Sequence, residues 1–353
     1  MNLDDVLKKA VEMDVSDIYI VSGRPLSYKV NGVIQEIGDE KLLPEDTDSL
    51  LQEIYMISGQ RDIQRVHDSG DDDFSFSLPG VARYRVSAYK QRGTLAAIIR
   101  VVAFDLPEPS KLGIPPIVLE QSKKKKGLVL VTGPAGSGKS TTLACIIDQI
   151  NQSRNAHIIT LEDPIEYLHR HNKSIVSQRE ISLDTESYVA ALRAALRQAP
   201  DVILLGELRD SETINIAMTA AETGHLVIST LHTVGAANTI DRIVDAFPSG
   251  QQGQIRVQLS MVLQSVISQQ LIQAVDGSVI PAFEIMLVND AIRNMIRESK
   301  IHQIDSVIAS SQAIGMVTMD NTLLQLYKEG KILDSTALAF ATQTELMKKK
   351  LAL

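Results

Sequence analysis

Four short runs in the second part of the chain, "GLVLVTG", "AHIITLE", "DVILLGE" and "GHLVIST", are apolar without alternation. Strands that are hydrophobic on both faces predict a parallel sheet covered by helices on each side. The first hundred residues have a different rhythm. Leu3, Val6, Leu7, Ala10 and Val11 recur at helical spacing over 3–13. "DIYIVSG" and "LSYKVNGVIQEI" read as strands, the latter turning at Asn31-Gly32, and a helix is predicted over 46–58. Between residues 71 and 102 three more strands alternate in character. Phe74, Phe76 and Leu78 take turns with Ser75 and Ser77, and Tyr84, Val86 and Ala88 with Arg83, Arg85 and Ser87.

The pattern divides the chain into an N-terminal α+β unit over 1–102, a proline-rich linker over 103–115, and an α/β unit over 116–353. From 251 onward the sequence reads as helical, apart from a hairpin around "DGSVIPAFEIM". Composition then narrows the function. Of 353 residues, 44% are hydrophobic and 22% charged, which fits a soluble protein with two cores. The one cysteine, Cys145, excludes an intrachain disulfide and a four-cysteine zinc cluster. The N-terminus lacks a signal-peptide pattern, and no apolar run reaches the ~20 residues of a membrane span. A net charge of −8 and the absence of tryptophan argue against a nucleic-acid binder. The basic run Lys123–Lys126 reads as a solvated stretch before a strand.

The chemistry starts at "GPAGSGKS", which follows a predicted strand and opens a helix. Gly133, Gly136 and Gly138 let the backbone of Gly133, Pro134, Ala135, Gly136, Ser137 and Gly138 turn its N–H groups toward phosphate oxygens. The N-terminus of the following helix, with Lys139, Ser140 and Thr141, adds to that attraction. Lys139 reaches the β- and γ-phosphates of ATP, and the Ser140 hydroxyl takes a magnesium position. In "APDVILLGELRD", Asp201 precedes the strand, where it caps or bonds to a neighbouring loop, and Glu207 follows it. Parallel sheets place ligands at the C-terminal strand ends, so Glu207 is the metal-side acid. Glu162, Asp163 and Glu166 leave the end of "AHIITLE", and one of them polarises the attacking water. His232, beyond its strand, is placed to sense the γ-phosphate, while His225 lies at the strand's start. His169 and His171 read as surface residues.

Together these segments resemble the secretion ATPase superfamily that powers type II and type IV secretion and type IV pili. The matching boxes are "GPAGSGKS", "TLEDPIEY", "DVILLGELRD" and "GHLVISTLHT". Within it the chain is most similar to the PilT-type pilus retraction ATPases, through "VSDIYIVSGRPLSYKVNG" and "AIRNMIRESKIHQI". The resemblance implies a RecA-like P-loop NTPase domain preceded by a smaller PAS-like α+β domain. It makes Glu162 the catalytic base and His225 a structural histidine, and it brings Arg85 and Arg100 to the nucleotide. It implies Mg2+-dependent ATP hydrolysis by a homohexamer that acts on an inner-membrane platform protein, the enzyme being cytoplasmic and peripheral to that membrane through the pilus machinery. The alternative within the superfamily is a pilus assembly or type II secretion ATPase; such relatives usually carry an extra N-terminal domain and often a zinc motif, which favours retraction here. The helix "AIRNMIRE" has Arg293 and Arg297 on one side and Ile292, Met295 and Ile296 on the other, and the resemblance makes it a coupling element.

Overall fold

The computed structural model describes residues 3–30, 32–59, 61–102 and 106–351. Its contacts define two units, Met1–Leu106 with Glu166–Leu168, and Pro107–Ile165 with His169–Leu353.

The first unit runs α1 (Leu3–Glu12), β1 (Val15–Ile20), β2 (Pro25–Val30), β3 (Val33–Lys41), α2 (Pro44–Ile57), α3 (Gln64–Ser69), β4 (Asp71–Leu78), β5 (Ala82–Gln91) and β6 (Thr94–Val102). The six strands form one antiparallel sheet in the order β3-β2-β1-β6-β5-β4. Helix α1 buries Leu3, Val6, Leu7 and Ala10, the stripe its spacing predicts. Two buried tyrosines tether it: the Tyr28 hydroxyl donates to Val6 O at 2.8 Å and that of Tyr84 to Leu7 O at 3.0 Å. Val30 pairs with Val33 across β2 and β3, leaving two residues for the turn. Of these Asn31 lies outside the described residues, and Gly32 has φ +80°, as a primed hairpin turn requires. Helix α3 was not expected. Its six residues bury only Val66, too little for a helical period to show.

The second unit runs α4 (Pro116–Leu119), β7 (Gly127–Thr132), α5 (Lys139–Ser153), β8 (His157–Glu162), β9 (Ile175–Glu180), α6 (Tyr188–Ala195), β10 (Val202–Leu205) and α7 (Ser211–Glu222). It continues with β11 (Leu226–Leu231), α8 (Ala236–Asp245), α9 (Ser249–Val262), β12 (Leu263–Gln273), β13 (Val279–Leu287) and α10 (Asp290–Arg297). Helices α11 (Ile304–Ser310), α12 (Met319–Lys328), α13 (Asp334–Phe340) and α14 (Thr344–Leu351) complete it. A seven-stranded sheet, β13-β12-β7-β11-β10-β8-β9, is parallel except for β13. Strands β7, β10 and β11 are buried at every residue, in keeping with helices on both faces.

Three sequence expectations change. The stretch after 251 is mostly helical apart from one hairpin, as expected, but that hairpin is longer than the segment around "DGSVIPAFEIM": β12 and β13 are long strands, and β12 pairs in parallel with β7 within the sheet. Glutamines and serines in "LQSVISQQLIQ" hide the strand, since they are buried polar residues of a kind usually read as helical or loop. Strand β9 was also missed, its polar Ser177, Gln178 and Arg179 masking an edge strand. In the expected linker, residues 103–105 lie outside the described residues, and 107–115 group with the second unit in hydrogen-bonded turns. Ile114 N donates to Pro109 O at 3.1 Å, and the Ile114 side chain is buried in that unit's core.

Candidate active site

The phosphate loop leaves the C-terminal end of β7 and turns into α5 at Gly138, whose φ of +84° needs no Cβ. Gly133 is under tighter constraint. At φ +145°, a Cβ there would lie 2.1 Å from Gln269 O and 2.7 Å from Ser137 Oγ. Gly136, φ +75°, faces open space at the loop tip, with Pro134 and Ala135 exposed beside it. Ser137 is buried, and among the described residues its Oγ has no hydrogen-bond partner. Lys139 donates from Nζ to Gly133 O at 2.9 Å and to Pro134 O at 2.8 Å. Burial pushes the Lys139 pKa down, and the Glu207 charge opposes that shift. Ser140 is exposed in the first turn of α5, with Thr141 next to it. A cradle of this shape, closed to side chains but open at its tip and fed by one partly desolvated ammonium, fits a polyphosphate.

The acids lie on strands two and three places from β7 in the sheet. Glu207 follows β10, and Glu162 ends β8, next to it in the ladder. Gly206 N donates to Leu161 O at 2.8 Å and Leu208 N to Thr230 O at 3.0 Å, so backbone bonds to both neighbours fix the turn bearing Glu207. Its Oε2 is 3.2 Å from His232 Nε2, and Oε1 pairs with Arg209. Glu162 is held differently: Oε1 accepts from Thr160 Oγ1 at 2.6 Å and from Gln178 Nε2 at 3.2 Å. The two acids thus have separate surroundings, a cation and an imidazole for one, a hydroxyl and an amide for the other. Among the described residues, no group of three or more His, Cys, Asp or Glu is placed to hold a metal. A divalent ion here would take Ser140 and Glu207 together with phosphate oxygens and water, the donor set magnesium prefers.

The structure therefore brings Lys139, Ser140, Glu207 and His232 to one end of the sheet, with Glu162 on the adjoining strand end. Asp201 is at the other end, where its Oδ2 accepts from His157 N at 2.8 Å. His225 is there too, at the start of β11, with Nδ1 2.9 Å from Ala220 O. In the first unit, Arg85 and Arg100 are direct cross-strand partners of β5 and β6 and so share a sheet face. Arg100 Nε donates to Asp17 Oδ1 at 3.1 Å, and Arg85 Nη1 to Glu166 Oε1 at 3.0 Å. Arg293 and Arg297 lie on α10. Arg293 donates to Ser260 O and, at 3.1 Å, to Met261 O, whereas Arg297 is exposed.

Sequence reading placed His169 on the surface. It is half-buried there, and burial pushes its pKa down to about 4. It also missed Gln178, Arg209, Tyr188 and Gln269. Tyr188 packs its hydroxyl where a side chain on Gly206 would sit, 2.6 Å from that Cβ position. Gln269 accepts from Thr142 Oγ1 at 2.7 Å, joining β12 to the phosphate helix. Only Arg209 carried a signal, its place two residues after Glu207 in "ELRD".

Comparison with known proteins places these features. The family described as "Type II/IV secretion system protein" matches residues 1–336. The type IV pilus retractation ATPase PilT of Pseudomonas aeruginosa is 43% identical over 332 residues, covering 94% of this chain and 96% of that protein. A twitching motility protein of Neisseria gonorrhoeae is 46% identical over 320 residues, 90% of this chain and 85% of its own. The crystal structure of the pilus retraction motor PilT with bound ADP superposes with a TM-score of 0.90 at 46% identity, covering 99% of each chain.

Proposed function

The chain belongs to the type II/IV secretion system protein family, and we propose that within it the chain is an ATP-hydrolysing motor of type IV pilus retraction. The observation that supports this chemistry is the placement of Glu207 and Glu162 at neighbouring strand ends, with different hydrogen-bond partners, beside a complete phosphate loop. N–H groups of the loop from Ala135 onward and the N-terminus of α5 bind the phosphates, and Lys139 exchanges its loop carbonyls for β- and γ-phosphate oxygens. Ser140 and Glu207 would hold a magnesium ion, which neutralises phosphate charge when bound. Glu162, oriented by Thr160 and Gln178, accepts the proton of the attacking water. His232, paired with Glu207, reads the γ-phosphate. Arg85 and Arg100 supply guanidinium charge to the transferred phosphoryl group.

The motor reading favours retraction over assembly or secretion because the full-length likeness is to retraction proteins. Its working form is a homohexamer, and its partner is the inner-membrane platform protein of the pilus. It works in the cytoplasm against that membrane. Among the described residues, no helix is long and apolar enough to cross a membrane.

The test is magnesium-dependent ATP hydrolysis by wild type and Glu162→Gln, with solution mass measured for both. Wild type should turn over as a hexamer. The variant should bind ATP and assemble but lose on the order of 10²-fold or more in kcat. Normal turnover by Glu162→Gln would overturn the base assignment, and a wild type inert as a hexamer would overturn the motor reading.

A further inference from the structure

The buried carboxylate of Glu284 is not used by the chemistry above, yet it touches the segment that carries His232. Three residues separate His232 from the first turn of α8. Two consecutive N–H groups in that segment are held by side chains of the β12–β13 hairpin. Gly235 N donates to Ser268 Oγ at 2.9 Å, and Ala236 N donates to Glu284 Oε1 at 2.7 Å. Ser268 and Glu284 are direct cross-strand partners, so one rung of the hairpin holds both. The other carboxylate oxygen, Oε2, accepts from Met319 N at 3.2 Å, the first residue of α12. One carboxylate thus sits between the N-termini of two ten-residue helices and bonds to each.

Such a group is costly to keep. Glu284 is 4% exposed, and it shares a cavity of about 210 Å³ with Asp305 and Asp320, which repel its charge. Burial pushes its pKa up, and the two backbone N–H groups counter that only in part. An apolar residue of similar volume would avoid the penalty but would leave two helix N–H groups unbonded. The bonds fix backbone position, and the backbone they fix leads to His232.

We propose that Glu284, together with Ser268, is a positioning residue for His232, and that through Met319 it ties the histidine's segment to the start of the C-terminal helices. This rests on the reading of His232 as the γ-phosphate-facing group. Glu284→Gln keeps the side chain's size but presents an NH2 to one of the two N–H groups, so one tether is lost. It should lower kcat on the order of tenfold, with KM for ATP within about twofold, because it misplaces a transition-state contact and leaves the phosphate cradle intact.

The experiment is a double-mutant cycle of Glu284→Gln and His232→Ala, reading kcat, KM and ADP affinity. Added to His232→Ala, Glu284→Gln should change kcat by less than about twofold, since its target is already gone. Ser268→Ala, which removes the Gly235 tether alone, should show a smaller kcat loss with the same non-additivity, and it carries the test where Glu284→Gln does not fold. Equal losses in both backgrounds, or no loss while His232→Ala is slow, overturn the proposal. Wild-type turnover by His232→Ala overturns the reading of His232 itself, which separates the two failures.

Discussion

At the scale of single residues, the phosphate loop distinguishes two glycines that its sequence presents alike, as residues that free the backbone to turn. Gly133 and Gly136 both have positive φ, but only Gly133 is walled in, by the backbone oxygen of Gln269. Gly136→Ala meets open space and should carry only the left-handed strain, ~1–2 kcal/mol. Gly133→Ala must also push β12 away from the loop, since a Cβ 2.1 Å from a backbone atom has no flexible neighbour to yield. It should lose ADP binding altogether, while Gly136→Ala keeps measurable affinity; calorimetric titration of both variants separates the cases. Equal affinities would mean that β12 does not fix the loop. The motif "GPAGSGKS" made the cradle legible in the sequence because every member falls within eight consecutive residues. Gln269 was not legible, because it reaches Thr142 from a strand more than a hundred residues away.

Elements repeat that lesson and show where it reverses. The strands β7, β8, β10 and β11 could be read directly, since burial on both faces demands unbroken apolar runs. Strands β9 and β12 could not: β9 is a polar edge strand, and in β12 the buried Ser268 and Gln269 are satisfied by a loop and a helix remote in sequence, of which a local pattern carries no trace. In the first unit the join between α2, the segment after it and β4 rests on one such polar cluster. Arg61 Nε and Nη2 donate to Asp72 at 2.9 and 2.7 Å, the Tyr55 hydroxyl donates to it at 3.0 Å, and Arg61 stacks 5.0 Å over Phe74. Burial alone would raise the Asp72 pKa, but the bonds from Arg61 and Tyr55 outweigh it and hold the carboxyl below its ordinary range. A depressed carboxyl stabilises the fold fully above its unfolded pKa of about 3.9, and that contribution disappears as pH falls through the folded value. Asp72→Asn should therefore cost ~2 kcal/mol at pH 7, and the gap to wild type should narrow below about pH 4. Urea midpoints at both pH values check this, and a gap that widens toward acid would contradict it.

For the molecule as a whole, the question is how hydrolysis at the strand ends reaches the pilus. Helix α10 is a candidate because its two faces are committed differently. Ile292 and Ile296 are buried in the same core as Leu205, Leu231 and Ala236, residues that border the site strands. Arg293 is also committed, its guanidinium bonded to carbonyls at the end of α9, where a cation is favoured. Arg297 is exposed, and among the described residues its side chain reaches only Asn294 Oδ1, at 3.4 Å, on its own helix. The sequence pattern put both arginines on one face as equals; the packing separates an anchor from a projecting charge. Arg293→Ala should cost ~1–2 kcal/mol of stability through the lost carbonyl bonds. Arg297→Ala should stay within about 0.5 kcal/mol of wild type, as surface changes do. It should also keep ATP turnover within about twofold, because it touches neither the core nor the phosphate loop. If α10 passes motion to a partner, Arg297→Ala should still abolish retraction, measured as twitching by cells whose only copy carries the change. Normal twitching would show that α10 is an ordinary surface helix. Turnover lost together with twitching would place Arg297 in the hydrolysis cycle, and the separation of anchor from charge would then be wrong.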